Sequence, residues 1–124
     1  MQKSNMILVA LSCCSSTAIA QTPTLSKADL EALFVGKTVH SVRTNDGVRV
    51  TTNVMANGWM LTQSSTGGKG KMRWSIDDTG KFCWQSQGAT APDGCRVYIK
   101  AGDQLQVFDP TNMTQPVGMI EKIE

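Results

Sequence analysis

The feature that most constrains this chain is a series of turn signals that recur roughly every 10 residues after Gly36. The clearest are Asn45-Asp46-Gly47, Asn57-Gly58, Asp78-Thr79-Gly80 and Ala101-Gly102-Asp103. The segments between turn signals have the length of strands and not of helices, and they span 38–44, 48–56, 59–65, 71–77, 81–86, 95–100, 104–109 and 117–122. Short sequential strands joined by tight turns predict a mainly β domain. We expect an antiparallel eight-stranded meander, either an up-and-down barrel or a two-layer sandwich.

One short helix is predicted ahead of the strands. Ser26 is a favourable N-cap, and Asp29 stands three residues later as its capping-box partner. Leu30, Leu33 and Phe34 share one face at the spacing of a helix. A helix of about two turns is not stable alone, so this apolar face has to pack against the strands.

Turn lengths predict which side chains share a face of the sheet, because strand residues alternate in direction. A two-residue turn at Asn57-Gly58 places Val48, Val50 and Val54 with Trp59 and Leu61. A three-residue turn at 78–80 pairs Ile76 with Phe82 and Trp74 with Trp84. The turn at 101–103 pairs Val97 with Val107. The prediction is an aromatic face of Trp74, Phe82, Trp84, Tyr98 and Phe108, and an aliphatic face with Cys83 and Cys95 that the helix covers.

The first residues have the pattern of an export signal. Lys3 is followed by an apolar run over 6–11 and by Ala18-Ile19-Ala20, which resembles a signal peptidase site. We expect residues 1–20 to be a cleaved signal peptide and 21–124 to be a single domain without a transmembrane segment, in the periplasm or secreted. Lipid attachment at Cys13 is the alternative. In an oxidising compartment Cys83 and Cys95 are expected to form a disulfide, the alternative being two buried thiols.

Composition excludes several classes of function. The chain has 12 basic and 10 acidic residues, a near-balance that is atypical of a nucleic-acid-binding protein. His40 is the only histidine and only two cysteines follow the signal, so we expect no metal site and no cofactor. Neither His40 nor Asp103 stands in a catalytic motif, so we expect no enzyme activity.

The segment from Trp74 to Trp84, followed by Gly94-Cys95-Arg96-Val97-Tyr98 and Gly102-Asp103-Gln104-Leu105, resembles a family of small exported bacterial proteins known as domain of unknown function 995. The opening 25–30 and Gly36-Lys37-Thr38 are similar to the start of that family. The resemblance implies an exported β-rich domain with a Cys83–Cys95 bridge. It implies no particular activity.

The function expected from these observations is non-catalytic binding through the aromatic face. An envelope protein, a glycan or a small apolar ligand would fit such a face. One alternative is a periplasmic inhibitor of a cell-wall hydrolase, such as a lysozyme inhibitor, using Ser64, Ser65 and Lys69. Another is a lipocalin-like barrel that carries a small molecule. The aromatic residues would be simple core if none of these holds.

Overall fold

The computed structural model describes residues 23–124, so the predicted signal peptide and Cys13 lie outside the described residues. The elements are α1 Lys27–Phe34, β1 Lys37–Arg43, β2 Arg49–Val54, β3 Trp59–Ser64, β4 Lys69–Ile76, β5 Phe82–Gln85, β6 Gly94–Ala101, β7 Gln104–Phe108 and β8 Gly118–Ile123. Each strand pairs antiparallel with the next, and β8 pairs with β1 to close a barrel. The predicted meander is confirmed, and of its two forms the chain adopts the barrel. Among the described residues no helix has the length and apolar character needed to cross a membrane.

Helix α1 closes one end of the barrel. Its capping box is confirmed, because the Ser26 hydroxyl accepts from the Asp29 amide and the Asp29 carboxylate accepts from the Ser26 amide, both at 3.1 Å. Leu30 and Phe34 are 0% and 2% exposed. The Phe34 ring meets Tyr98 edge to face at 4.9 Å between ring centres. The prediction that α1 covers the aliphatic, disulfide-bearing face is wrong, because inward residues at this end of a closed barrel need an apolar cover.

The segment before α1 is fixed against the barrel wall. The Leu25 amide donates to the Tyr98 carbonyl at 2.8 Å. Gly80, in the β4–β5 turn, has a φ of +86°, and a Cβ there would lie 2.3 Å from the Leu25 carbonyl oxygen. Only glycine combines this backbone conformation with so close an approach. The turn and β6 therefore hold the entry to α1 from two sides.

The turn between β2 and β3 has one residue more than the sequence predicts. The Met55 amide donates to the Trp59 carbonyl, and Gly58 has a φ of +94°. The turn is therefore a three-residue turn with glycine in the left-handed region, and not a two-residue turn.

This extra turn residue reverses the faces predicted for β2 and β3. Val54 pairs with Met60, and both are buried inside the barrel. Trp59 and Leu61 are on the outer surface, so the prediction that they share a face with Val50 and Val54 is wrong. A shift of one residue in pairing moves every side chain of a strand to the opposite face.

The hairpin between β6 and β7 differs from prediction in the opposite direction. Ala101 pairs with Gln104, which leaves a two-residue turn, and Tyr98 consequently pairs with Val107. Phe108 pairs with Val97 and lies outside, so the predicted sharing of one face by Tyr98 and Phe108 is wrong. The three-residue turn between β4 and β5 is confirmed, since Trp74 pairs with Trp84 and Ile76 with Phe82.

The predicted disulfide joins Cys83 and Cys95, which stand directly opposite each other on β5 and β6 with their Cα atoms 4.0 Å apart. The pair is on the outer face of the barrel, on the same side as Val97 and Phe108. The β5–β6 and β7–β8 ladders are the shortest in the barrel wall, with three paired positions each. The disulfide crosses the β5–β6 ladder and therefore reinforces one of these two short contacts.

Candidate ligand cavity

The interior of the barrel contains a cavity of about 920 Å³. Pockets that bind small organic molecules are typically ~300–1,000 Å³. An eight-stranded barrel has an interior of the size that either side chains fill or one small ligand occupies. In this barrel the side chains leave the interior unfilled over part of its height.

The space is left by short side chains on the inward positions of the first four strands. They are Ser41, Val50, Thr52, Thr62, Ser64 and Gly70. A barrel interior is filled only where the inward residues are large enough to meet across it. Of these small residues, only Ser64 is among the site residues considered from the sequence, as part of the hydrolase-inhibitor alternative. Their alternation in the strands, as in Val50-x-Thr52 and Thr62-x-Ser64, was the available signal.

The two ends of the cavity differ because successive connections of a meander alternate between the ends of a barrel. The end that carries the β2–β3 and β4–β5 turns is the one that α1 closes, with Phe34 facing the cavity. The opposite end carries the β1–β2, β3–β4 and β7–β8 connections. Thr44, Gly68 and Gln115 from those connections line the cavity there. This second end is the mouth.

The cavity wall changes in polarity along its axis. Towards α1 it is formed by Phe34, Val54, Met60 and Phe82, which are buried in the core. Towards the mouth hydroxyl groups take over. The charged residues in the described lining are Arg43, Lys69 and Arg96, and that lining includes no aspartate or glutamate. The cavity therefore combines an apolar base with an upper part whose lining includes basic residues and no acidic ones.

Of these three cations, Arg96 is the one at an inward position within a strand, whereas Arg43 ends β1 and Lys69 begins β4. Arg96 pairs with the buried Phe82, and its guanidinium carbon lies 5.0 Å from the centre of the Trp84 ring. A guanidinium over an indole at this distance is a favourable cation–π contact. One of its nitrogens donates to the Cys95 carbonyl at 2.8 Å.

Trp84 lies flat along the wall because its strand partner is Gly94. A Cβ at Gly94 would lie 2.5 Å from the indole ring. Glycine at this position therefore makes room for the indole, which in turn supports the Arg96 guanidinium. The three residues form one side of the cavity near the mouth.

Tyr98 carries the most deeply buried ionisable group of the cavity wall. The residue is 8% exposed, and burial raises the pKa of its phenol well above the usual value, an effect that the Arg96 charge only partly opposes. Among residues 23–124 no hydrogen-bond partner is found for its hydroxyl. The phenol therefore stays protonated and is available as a donor.

The aromatic residues predicted to form a binding face are only partly brought together. Phe82, Trp84 and Tyr98 line the cavity. Trp74 stacks on Phe82 at 6.0 Å between ring centres and donates from its indole nitrogen to the Met55 carbonyl. Phe108 points away from the barrel interior, where it is buried (7% exposed), and is not part of this set. Arg96 and the small inward residues other than Ser64 complete the cavity and were not among the predicted site residues.

The other residues considered in the sequence are separated from the cavity or engaged locally. The His40 ring contacts the Glu124 carboxylate on the outer surface, and this hydrogen bond is the main reason that the pKa of Glu124 is lowered. Asp103 is in the exposed β6–β7 turn. The Ser64 hydroxyl contacts Thr66 and accepts from the Gly68 amide within the β3–β4 connection. In the described part of the chain no group of three or more potential metal ligands is found.

Comparison with known proteins gives a family but no characterised relative. A family model described as protein of unknown function (DUF995) matches residues 5–104, which end at the first residue of β7. No curated protein matches the chain, and no solved structure does.

Proposed function

The chain belongs to the DUF995 family of proteins of unknown function, and from the geometry of its interior we propose that it is a non-catalytic binding protein that carries one small, mainly apolar molecule inside the barrel. The observation that carries this proposal is the open cavity of about 920 Å³ above the base that α1 closes. Unfilled apolar space reduces stability, because its lining loses dispersion contacts. A ligand that fills the space restores those contacts.

The inward direction of the aromatic residues favours an enclosed ligand over a flat partner. Phe82, Trp84 and Tyr98 face the cavity, and Trp74 is stacked on Phe82. Their rings are therefore not offered as an outer platform to a glycan or a folded protein. This arrangement supports the small apolar ligand among the three partner classes predicted from the sequence.

The compartment of action is part of the same proposal. The Cys83–Cys95 disulfide fits an oxidising environment. Together with the signal-like start of the sequence, it supports a role in the periplasm or outside the cell, where a carrier would shield an apolar molecule from water.

A filled-cavity variant tests the proposal. Thr52 lines the cavity, whereas Thr51, the preceding residue, points to the outer surface beside His40. We expect the native protein to bind the neutral fluorescent probe N-phenyl-1-naphthylamine at one site. Thr52→Phe should weaken that binding by about tenfold or more, because the ring occupies the space that the probe needs.

Thr51→Phe is the matched control, since it adds the same ring to the same strand on the opposite face. It should bind the probe like the native protein. Near-ultraviolet circular dichroism checks that both variants are folded. Absence of probe binding by the native protein, or equal loss in the two variants, would contradict a ligand inside the barrel.

A further inference from the structure

We propose that the ligand is a single-chain amphiphile with an anionic head group, and that Arg96 binds this head while the chain lies against the apolar base near α1. This inference rests on the proposed function, since it assumes that the cavity is the binding site. It adds the chemical class of the ligand and names the residue that selects it.

The charges of the cavity wall support an anion. The described lining includes three basic residues and no carboxylate. Lys69 alternates with the inward Gly70 and so points outwards at the rim, and Arg43 is ion-paired with Asp46. Arg96 is therefore the charge that faces the cavity. An anionic group inside the barrel is therefore attracted by Arg96, and a cationic group is repelled by it. In an apolar cavity such charges act through a lower effective dielectric than in water, which strengthens the discrimination.

Arg96 is distinguished from the other two cations by its surroundings. Arg43 is at the mouth and already forms an ion pair with Asp46 at 3.2 Å. Lys69 is exposed at the first position of β4. Arg96 is half-buried, and among residues 23–124 no carboxylate lies within ion-pair distance of it.

The charge of Arg96 also acts on the carboxylate of Asp109, which forms its hydrogen bonds with Thr111. Asp109 accepts from the amide and hydroxyl of Thr111 at 2.9 and 2.8 Å, and these two bonds are the main reason that its pKa is lowered. The Arg96 charge makes only the smallest contribution to that lowering. Among residues 23–124 no ion pair joins Asp109 to Arg96, so this carboxylate does not pair with the guanidinium.

The guanidinium retains donors for a ligand. Arginine has five N–H donors in a planar fork that matches a carboxylate or a phosphate. In the described part of the chain, Arg96 uses one nitrogen for the Cys95 carbonyl. The Trp84 ring lies on one side of the group, 5.0 Å from ring centre to guanidinium carbon. Such a supported, partly unused fork within an apolar cavity is the arrangement that binds an anion in a defined position.

The rest of the cavity suits an alkyl chain. The wall between Arg96 and α1 is apolar: it includes Phe82, the strand partner of Arg96, and then Val54, Met60 and Phe34. Burial of each methylene group of a chain in such surroundings contributes roughly 0.8 kcal/mol. An amphiphile placed with its head at Arg96 satisfies both parts of the wall at once, which neither a neutral hydrocarbon nor a small inorganic anion does.

A series of ligands with one chain and different heads tests the inference. Dodecanoate, dodecyl phosphate, dodecanol and dodecyltrimethylammonium, each below its micelle concentration, are titrated against protein loaded with N-phenyl-1-naphthylamine. We expect at least one of the two anions to bind about tenfold or more tightly than dodecanol, and the cation to bind most weakly. The tighter anion also shows whether the natural head is a carboxylate or a phosphate.

Arg96→Gln should reduce the affinity for the anion to that for dodecanol and leave the affinity for dodecanol within about twofold. Arg73→Gln is the matched control, because Arg73 also lies over a tryptophan, Trp59 at 4.3 Å, but on the outer face. It should change neither affinity. Arg96→Lys keeps the charge, so it should retain part of the preference for anions and supplies the comparison if the glutamine variant does not fold.

The outcomes separate this inference from the proposed function. If the native protein binds dodecanol as tightly as both anions, or if Arg96→Gln weakens dodecanol and anion equally, the assignment of an anionic head to Arg96 is wrong while the carrier function stands. If none of the amphiphiles displaces the probe and the probe itself does not bind, both are wrong.

Discussion

Individual residues divide the barrel interior into a filled part and an open part. Phe34 and Phe82 meet edge to face at 6.0 Å and fill the end near α1. At Gly70 a Cβ would come within 3.0 Å of the Thr62 hydroxyl, so even one added carbon would crowd the wall there. The cavity thus depends on the small size of a few inward side chains. Larger residues at those positions would convert it into core.

The buried phenol of Tyr98 makes the stability of the fold depend on pH in the alkaline range. Burial raises the pKa of this phenol in the folded state, so its contribution to stability is present below its unfolded pKa of about 10. Above that pH the unfolded state loses the proton first, and folding is weakened as pH rises. Because Tyr98 is the only tyrosine, the ultraviolet absorbance of tyrosinate reports on it alone.

We expect no tyrosinate absorbance in the folded protein near pH 10 and a rise that coincides with alkaline unfolding. Tyr98→Phe should unfold at a higher alkaline pH than the native protein, since it has no phenol to ionise. An ordinary titration near pH 10 in protein that is still folded would show that the phenol is exposed to water.

At the scale of elements, the turns decided how far the sequence could predict the structure. The Asp77 side chain accepts hydrogen bonds from the Thr79 amide and hydroxyl and from the Lys81 amide. These local bonds fix the length of the β4–β5 turn, and the pairing of β4 with β5 was predicted correctly. The same bonds lower the pKa of Asp77, the Thr79 hydroxyl contributing most. The turn at Asn57-Gly58 accommodates either a two- or a three-residue loop, and the prediction took the wrong one.

A difference of one residue in the length of a turn changes the face of every side chain in the strand that follows. One residue more in the β2–β3 turn and one fewer in the β6–β7 turn put Trp59 and Phe108 outside the barrel. Local sequence does not determine these lengths, because closing the barrel sets the final register of each strand. For the same reason the sequence predicted strands and their order but not a cavity, which depends on contacts across the barrel.

The disulfide between β5 and β6 is expected to contribute to the stability of the barrel. Its cysteines are separated by 12 positions, and a bridge that closes a loop of this size stabilises by about 3 kcal/mol in the chain-entropy account. We expect the double change Cys83→Ala and Cys95→Ala to lower the free energy of unfolding in urea by about that amount.

Reduction of the native protein with dithiothreitol should produce a similar loss, and the same reagent should leave the alanine variant unchanged. A loss well below ~1 kcal/mol in both cases would show that the barrel holds β5 and β6 together without the bond.

At the scale of the whole molecule, the structure is a barrel with one closed and one open end. The backbone hydrogen bonding closes on itself through β1 and β8, so none of the eight described strands has a free edge to pair with another chain. The helix supplies the base, and the alternate connections supply the mouth. A protein of this shape presents its chemically distinctive surface to the inside, which is why its function is proposed from the cavity.

The most direct test of ligand binding inside the barrel is a titration of isotope-labelled protein with dodecanoate, followed by nuclear magnetic resonance of the indole N–H groups. The chain has three tryptophans, so three signals are expected. Trp84 lines the cavity, whereas Trp59 is on the outer face between Lys71 and Arg73. The account predicts a saturable shift of the Trp84 signal while the Trp59 signal stays in place. A Trp84 signal that does not move, or a Trp59 signal that moves as much, would contradict a ligand inside the barrel.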